Sequence, residues 1–317
     1  MDMAKVVILG AGHVGSMCAL NLARLGICRE IVLIDIVEGK ADAQAKDVAD
    51  ATVFMNRMPI VREGSYQDCD DADIIVNAVG VSRKPGQTRL DMLDVTIDIM
   101  KDVTARLNQT AFDGYFISIS NPCDVVVNYA REHMKLPKNR IFGTGTLLDT
   151  ARLRLTLHQL TGVSANSIEC FAMGEHGDSS FVPWSTATIS TIPVDQYASS
   201  LTNPDTIEPK LVHSEVESYI RKSGGKIIER KGATFYAVAV SVCHIVKCIF
   251  SGADTTMTVS TMMHGEYGID DVCLSTLAIV GPDGVAGKVL APLTDEEKAL
   301  LKHSSECLRG IIDQIKL

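Results

Sequence analysis

Over the first 145 or so residues, short β-branched runs alternate with stretches whose apolar residues recur at helical spacing. Lys5 to Leu9, Glu30 to Ile34, Asp73 to Val76 and Tyr115 to Ile119 carry the near-continuous apolar character of strands buried on both faces. Between them, Val14 to Leu25, Ala41 to Asn56 and Met92 to Leu107 read as helices with one apolar face. Strands and helices in that alternation are joined by right-handed crossovers, so the pattern predicts an α/β fold with a doubly wound parallel sheet of Rossmann type. From Thr146 the rhythm changes. A helix from Leu147 to Leu160 precedes strands near Ile168 to Ala172, Thr186 to Ile189, Thr258 to Met263 and Cys273 to Val280, with helices near Leu211 to Glu229, Thr234 to Phe250 and Asp295 to Ile315. Gly281-Pro282-Asp283-Gly284 is a turn between two late strands. The second half therefore reads as mixed α+β. The expected division is 1–145 and 146–317, the two halves packing around a shared cleft.

Composition narrows the function classes. A chain of 317 residues that is 46% hydrophobic can bury a large core, but no apolar run reaches the ~18 residues of a membrane span. Met1 leads straight into the first strand without a charged, cleavable leader, and a cytoplasmic protein is expected. Nine cysteines without a Cys-x-x-Cys pair read as free thiols in a reducing compartment, not as a disulfide framework or a metal site. A formal charge of -9 argues against a nucleic-acid partner, and an anionic substrate would need local positive charge.

Gly10-Ala11-Gly12-His13-Val14-Gly15 directly follows the first strand and opens a helix, the context in which Gly-x-Gly-x-x-Gly binds a dinucleotide. Gly10 permits the tight turn, Gly12 lets the backbone approach a pyrophosphate, and Gly15 lets helix and strand pack closely. Asp35 ends the second strand, 20 residues after Gly15. A carboxylate there accepts from both ribose hydroxyls and repels a 2′-phosphate, so NAD is expected over NADP. Ala78 and Gly80, in the turn Asn77-Ala78-Val79-Gly80 after the strand that ends at Val76, border the same cleft.

The chemistry is expected at Gly174-Glu175-His176-Gly177-Asp178, where flanking glycines let the backbone present an imidazole that exchanges protons near neutral pH. Asp149 and Arg152 are three apart on one helical face. A polar loop from Val81 to Leu90 carries Arg83, Lys84 and Arg89 and has the character of a lid.

Taken together, Gly10 to Gly15, Asp35, Arg83 to Arg89, Ser120-Asn121-Pro122, Leu148 to Arg152, Gly174 to Asp178 and Gly232-Ala233-Thr234 resemble, in order, the L-lactate/malate dehydrogenase family. The resemblance runs the length of the chain. It implies an NAD-dependent enzyme that moves a hydride between the cofactor and a 2-oxo or 2-hydroxy acid. By the same resemblance His176 exchanges the proton at the substrate oxygen, Asp149 orients its ring, Arg152 grips the substrate carboxylate and Arg89 polarises the carbonyl. Asn121 and Thr234 line the pocket, Asn121 also bordering the cofactor.

Arg83 occupies the position where the lactate type resembles Gln and the malate type Arg. It favours oxaloacetate, while Gly86 to Leu93 and the segments around Leu147 to Arg152 and Phe181 to Ser185 look like the lactate or hydroxyisocaproate type. The family is commonly a homotetramer, and Ala41 to Asn56 is an expected interface. Activation by fructose 1,6-bisphosphate is not expected, because Glu169 stands where a phosphate-binding His belongs opposite Arg154. An NAD-dependent glycosidase is the alternative from another class, and it would need a metal-binding Cys/His site that the chain does not supply.

Overall fold

Successive residues of the first strand face opposite ways, and both sides are buried: Val6 and Ile8 enter one apolar layer, Val7 and Leu9 the other. A computed structural model describes residues 4–81, 89–201 and 211–315. Its elements run β1 (Ala4–Leu9), α1 (His13–Leu25), β2 (Cys28–Ile34), α2 (Lys40–Thr52), β3 (Ile60–Glu63), β4 (Ile74–Asn77), α3 (Arg89–Leu107), β5 (Tyr115–Ser118), α4 (Cys123–His133) and β6 (Ile141–Gly143). They continue with α5 (Leu147–Thr161), β7 (Ile168–Glu169), β8 (Thr188–Ile189), β9 (Ile192–Pro193), α6 (Val194–Tyr197), α7 (His213–Lys231), α8 (Tyr236–Phe250), β10 (Thr255–His264), β11 (Asp270–Gly281), β12 (Gly284–Lys288) and α9 (Asp295–Ile312).

The central sheet has the order β12-β11-β10-β6-β5-β4-β1-β2-β3. Its six strands β1 to β6 are parallel, and β1 pairs with both β2 and β4, so the strand order reverses there. That reversal opens a crevice at the carboxyl ends of β1 and β4, where Gly10 and Ala78 lie. One face is covered by α1, α2 and α8, whose Leu22, Val48, Val242 and Ile245 pack with Ile8, Ile31 and Val76. The other is covered by α3, α4 and α9, whose Ile97, Met100, Val126 and Leu308 pack with Val7, Ile75 and Phe116. Each fully buried Val, Leu or Ile adds roughly 1.5–3 kcal/mol.

Three differences from the sequence pattern have physical reasons. The second helix stops at Thr52, short of Asn56, because Val53 and Phe54 find nothing to pack against; Phe54 is 95% exposed. The elements β3, β6 and α4 were not expected: β3 and β6 have only four and three residues, too few to show a period, and α4 buries polar Asp124, Asn128 and Arg131 as well as its valines, so its packed face is not marked by apolar spacing. Finally, the two halves share one sheet, since Ser260 of β10 pairs antiparallel with Gly143 of β6. All nine cysteines are free and eight are buried.

Candidate active site

The glycine-rich turn is built for a phosphate group. Gly10 has φ +94°, and a Cβ there would sit 2.7 Å from the Ala78 carbonyl oxygen; at Gly15 it would come within 1.9 Å of the Gly10 oxygen. At Gly12 a Cβ would meet nothing within 4 Å, and no side chain caps the amino end of α1. Open space therefore lies above uncapped helix N-H groups, the arrangement that receives a pyrophosphate.

Asp35 stands at the neighbouring strand end beside a cavity of about 520 Å³ lined also by Ile36, Gly64 and Tyr66. Its carboxylate accepts from Ala11 N at 2.8 Å and Val37 N at 2.9 Å and pairs with Lys40 Nζ at 3.0 Å. Burial works to raise its pKa, but the bonds from Val37, Lys40 and Ala11 hold the carboxyl below its ordinary value. Asp35 is thus a fixed, ionised acceptor, and the residues present fit NAD. Lys40 is a neighbour the sequence reading did not consider; it places a cation beside the ribose position. His13, exposed at the start of α1, stacks its ring on Phe235 at 5.2 Å, bringing the cofactor turn against the segment that carries Thr234.

The structure brings His176, Asp149 and Arg152 together. His176 Nδ1 lies 2.6 Å from Asp149 Oδ2, and Arg152 Nη1 donates to Asp149 Oδ1 at 3.0 Å. Asp149 occupies the first turn of α5, where the helix dipole also favours a negative charge. An ionised carboxylate only accepts, so Nδ1 carries the hydrogen and Nε2 is the ring atom left for exchange. Burial opposes charge on both partners. The His176 charge and hydrogen bond, then Arg152, nevertheless hold the Asp149 carboxyl below its ordinary value. Asp149, with a smaller contribution from Asp124, holds His176 above the usual imidazole range. The imidazole side chain is 25% exposed and the Asp149 side chain 6%, so the ring can meet a small molecule while its partner stays enclosed.

Three elements fix the loop that carries His176. Gly174 exchanges backbone hydrogen bonds with Ser275 of β11, and Glu175 N donates to Ser304 Oγ of α9 at 2.7 Å. His176 N donates to Asp124 Oδ2 at 2.8 Å, and Ser260 Oγ donates to Asp124 Oδ1 at 2.5 Å. Sequence reasoning missed Asp124. Burial pushes its carboxyl up to about 6, against the lowering effect of the Ser260 and His176 hydrogen bonds. The signal was present, since Asp124 lies three residues after Asn121, but only tertiary contact joins it to His176.

Asn121 is exposed just ahead of α4, and Thr234 is half-buried just ahead of α8. Ala78, Val79 and Gly80 follow β4, and Ala78 N donates to the Leu9 carbonyl. Arg83 and Lys84 lie outside the described residues; of Arg89 only the backbone is described, as the first residue of α3. Arg154 Nη2 lies 3.3 Å from Glu169 Oε2. Among the described residues no group of three His, Cys, Asp or Glu side chains could hold a metal ion, and no helix is long and apolar enough to cross a membrane.

Two family models cover almost the whole chain: the lactate/malate dehydrogenase NAD binding domain matches residues 4–143, and the lactate/malate dehydrogenase alpha/beta C-terminal domain matches 146–317. The chain belongs to the lactate/malate dehydrogenase family. Its cofactor is NAD. It is 37% identical over 306 residues to an L-lactate dehydrogenase of Shouchella clausii, covering 96% of this chain and 93% of that one. Among solved structures, a lactate dehydrogenase from a Medee basin deep-sea metagenome library superposes with a TM-score of 0.93 at 31% identity, each chain covered completely. A malate dehydrogenase of Cryptosporidium parvum superposes with a TM-score of 0.91 at 27% identity, covering 99% of each chain. The fold of this family member thus resembles lactate and malate enzymes almost equally, and overall shape does not choose between them.

Proposed function

We propose that this chain reversibly interconverts a small 2-oxo acid and the corresponding L-2-hydroxy acid. The observation that carries this reading is the shared Asp149 carboxylate, which holds the His176 ring by one oxygen and the Arg152 guanidinium by the other. NAD supplies the hydride acceptor or donor when bound between the glycine-rich turn and Asp35. His176 Nε2 gives its proton to the carbonyl oxygen as that oxygen gains negative charge, and takes it back in the reverse direction. Asp149 keeps the Nδ1 hydrogen in place and stabilises the imidazolium. Arg152 pairs with the substrate carboxylate through parallel N-H donors. In this reading Arg89 polarises the carbonyl from the lid, and Asn121 and Thr234 line the pocket.

The preferred acid depends on Arg83. Its guanidinium would pair with the second carboxylate of oxaloacetate, whereas pyruvate would leave it enclosed and unpaired. Breaking a buried pair costs roughly 3 to 5 kcal/mol, enough for a preference of about 10² to 10³. The lactate names of the relatives support pyruvate. The test is kcat/KM for pyruvate, oxaloacetate and a branched 2-oxo acid with NADH, in this chain and in Arg83→Gln. The variant should gain relative activity on pyruvate; an unchanged ratio refutes the role given to Arg83.

Residues 1–145 serve in this proposal as the NAD-binding domain and 146–317 as the catalytic domain of a cytoplasmic homotetramer. Exposed Ile36, Val53, Phe54 and Met58 around α2 support an association surface there. The Arg154–Glu169 ion pair supports a chain that fructose 1,6-bisphosphate does not activate, because the carboxylate occupies the cation and repels a phosphate.

A further inference from the structure

Asp124 is a buried carboxyl that the proposed function leaves without a task. It lies in the first turn of α4 and is only 2% exposed. A charge so enclosed is costly unless its oxygens are bonded. Both are, by groups distant in sequence: Oδ2 accepts from His176 N at 2.8 Å and Oδ1 from Ser260 Oγ at 2.5 Å. Hydrogen bonding alone does not call for an acid there. An amide would accept from His176 N and turn an N-H group to the Ser260 hydroxyl without burying a charge. The amino end of α4 favours a negative charge, but a dipole does so at any first-turn position. What the acid adds is its charge beside one particular residue. The groups facing it are His176 and Glu175 of the loop, Ser260 of β10, Cys273 of β11 and the adjacent Cys123. Of these, His176 is the one that can become positive. His176 is therefore held at two points by two carboxylates, its ring by Asp149 and its backbone by Asp124.

We infer that Asp124 is a positioning residue for His176: through Oδ2 it fixes the backbone that presents the imidazole, and its negative charge favours the protonated ring that gives its proton to the 2-oxo acid. The inference rests on His176 as the proton donor of the proposed function. The charge of Asp124 acts to raise the His176 pKa, in addition to the larger effect of Asp149. Burial pushes the Asp124 carboxyl up to about 6, so its charge is present above that pH and lost below it. Asp124 therefore supports the protonated ring in the neutral and alkaline range, where the ring would otherwise lose its proton first.

The experiment compares the unmodified chain with Asp124→Asn, which keeps the hydrogen bonds and removes the charge, and Asp124→Ala, which removes both. Two readouts are taken from about pH 5 to about pH 9: kcat for reduction of a 2-oxo acid by NADH, and the titration of the His176 ring followed by NMR. Asp124→Asn should have near-normal kcat at the acid end and fall about 3- to 10-fold below the unmodified chain at the alkaline end, the effect of one charge at a few ångströms in a partly screened site. Its His176 titration should move to lower pH. Asp124→Ala should show the same movement and, because His176 N loses its acceptor, a further loss of about 10- to 100-fold at every pH. An unmoved His176 titration in Asp124→Asn overturns the inference. So does a loss in Asp124→Asn that is equal at all pH values, which would make Asp124 structural only, and so does an Asp124→Ala variant no slower than Asp124→Asn. Failure of the unmodified chain to oxidise NADH with any 2-oxo acid would instead overturn the proposed function, while the NMR titration would still read the coupling of Asp124 to His176.

Discussion

Asp149→Asn tests the proposed site most directly, because one carboxylate holds both the proton-exchanging ring and the carboxylate-gripping guanidinium. Asparagine keeps the shape but offers one oxygen. It can accept from His176 or from Arg152, and its amide N-H group then faces the other donor. Losing one hydrogen bond to a charged partner costs about 1.5–3 kcal/mol, which is roughly 10- to 150-fold in rate if it is felt in the transition state. The imidazole also loses the charge that holds its pKa up, and the total loss in kcat should approach the 10² to 10⁴ typical of removing a general acid. Reduction of the 2-oxo acid uses protonated His176. Its activity is therefore present below the His176 pKa and lost as pH rises through it. The variant, with that pKa lowered, should lose activity at lower pH, so its deficit should widen toward alkaline pH. NADH binding, followed by nucleotide fluorescence, should stay near normal because Gly10 to Gly15 and Asp35 are untouched. Steady-state kcat at several pH values reads the effect; a near-normal kcat with an unshifted profile would refute the coupling of Asp149 to His176.

Two further changes probe the residues around this pair. Asp35→Asn should narrow the preference for NAD over NADP, since it removes the carboxylate that repels a 2′-phosphate and leaves Lys40 beside the ribose position; an unchanged ratio of kcat/KM for the two cofactors would count against Asp35. Asp124→Asn should stabilise the fold at neutral pH, because an amide can still accept from His176 N while removing a buried charge. The sign follows from the raised folded pKa of about 6. Below the ordinary carboxylate pKa both states are protonated and there is no penalty; as pH rises toward about 6 the unfolded chain ionises first and stability is lost. About two pKa units correspond to roughly 3 kcal/mol. The Tm gain of the variant should thus be present at pH 7.5 and shrink toward pH 4, and a gain independent of pH would contradict the buried-charge argument.

Much of the fold was legible because its signals are local. The near-continuous apolar strands of β1, β2, β4 and β5 can only be buried on both faces, and the intervening helices then require crossovers. The glycine spacing was legible for a similar reason: a Cβ at Gly10 or Gly15 collides with backbone a few residues away in the same turn or with the neighbouring strand end. The short strands β3 and β6 escaped because a run of three or four residues has no period to detect, and α4 because it buries polar Asp124, Asn128 and Arg131 together with its valines, so apolar spacing does not mark its packed face. Asp124 and Ser260 escaped for another reason, since they are 136 residues apart and meet only where α4 packs on β10.

Residue identity by itself determined which groups can carry charge or exchange a proton: an imidazole at 176, carboxyls at 35, 124 and 149, a guanidinium at 152. Tertiary structure decided what those groups do to one another. Asp149 stays ionised because His176 and Arg152 converge on it from a distant loop and the next helical turn, whereas buried Asp124 is pushed toward protonation because a hydroxyl and one amide offset less of its desolvation. The two carboxyls are chemically the same. Their different states arise because desolvation and Coulomb interaction depend on what lies within a few ångströms, and only packing of distant segments sets those distances.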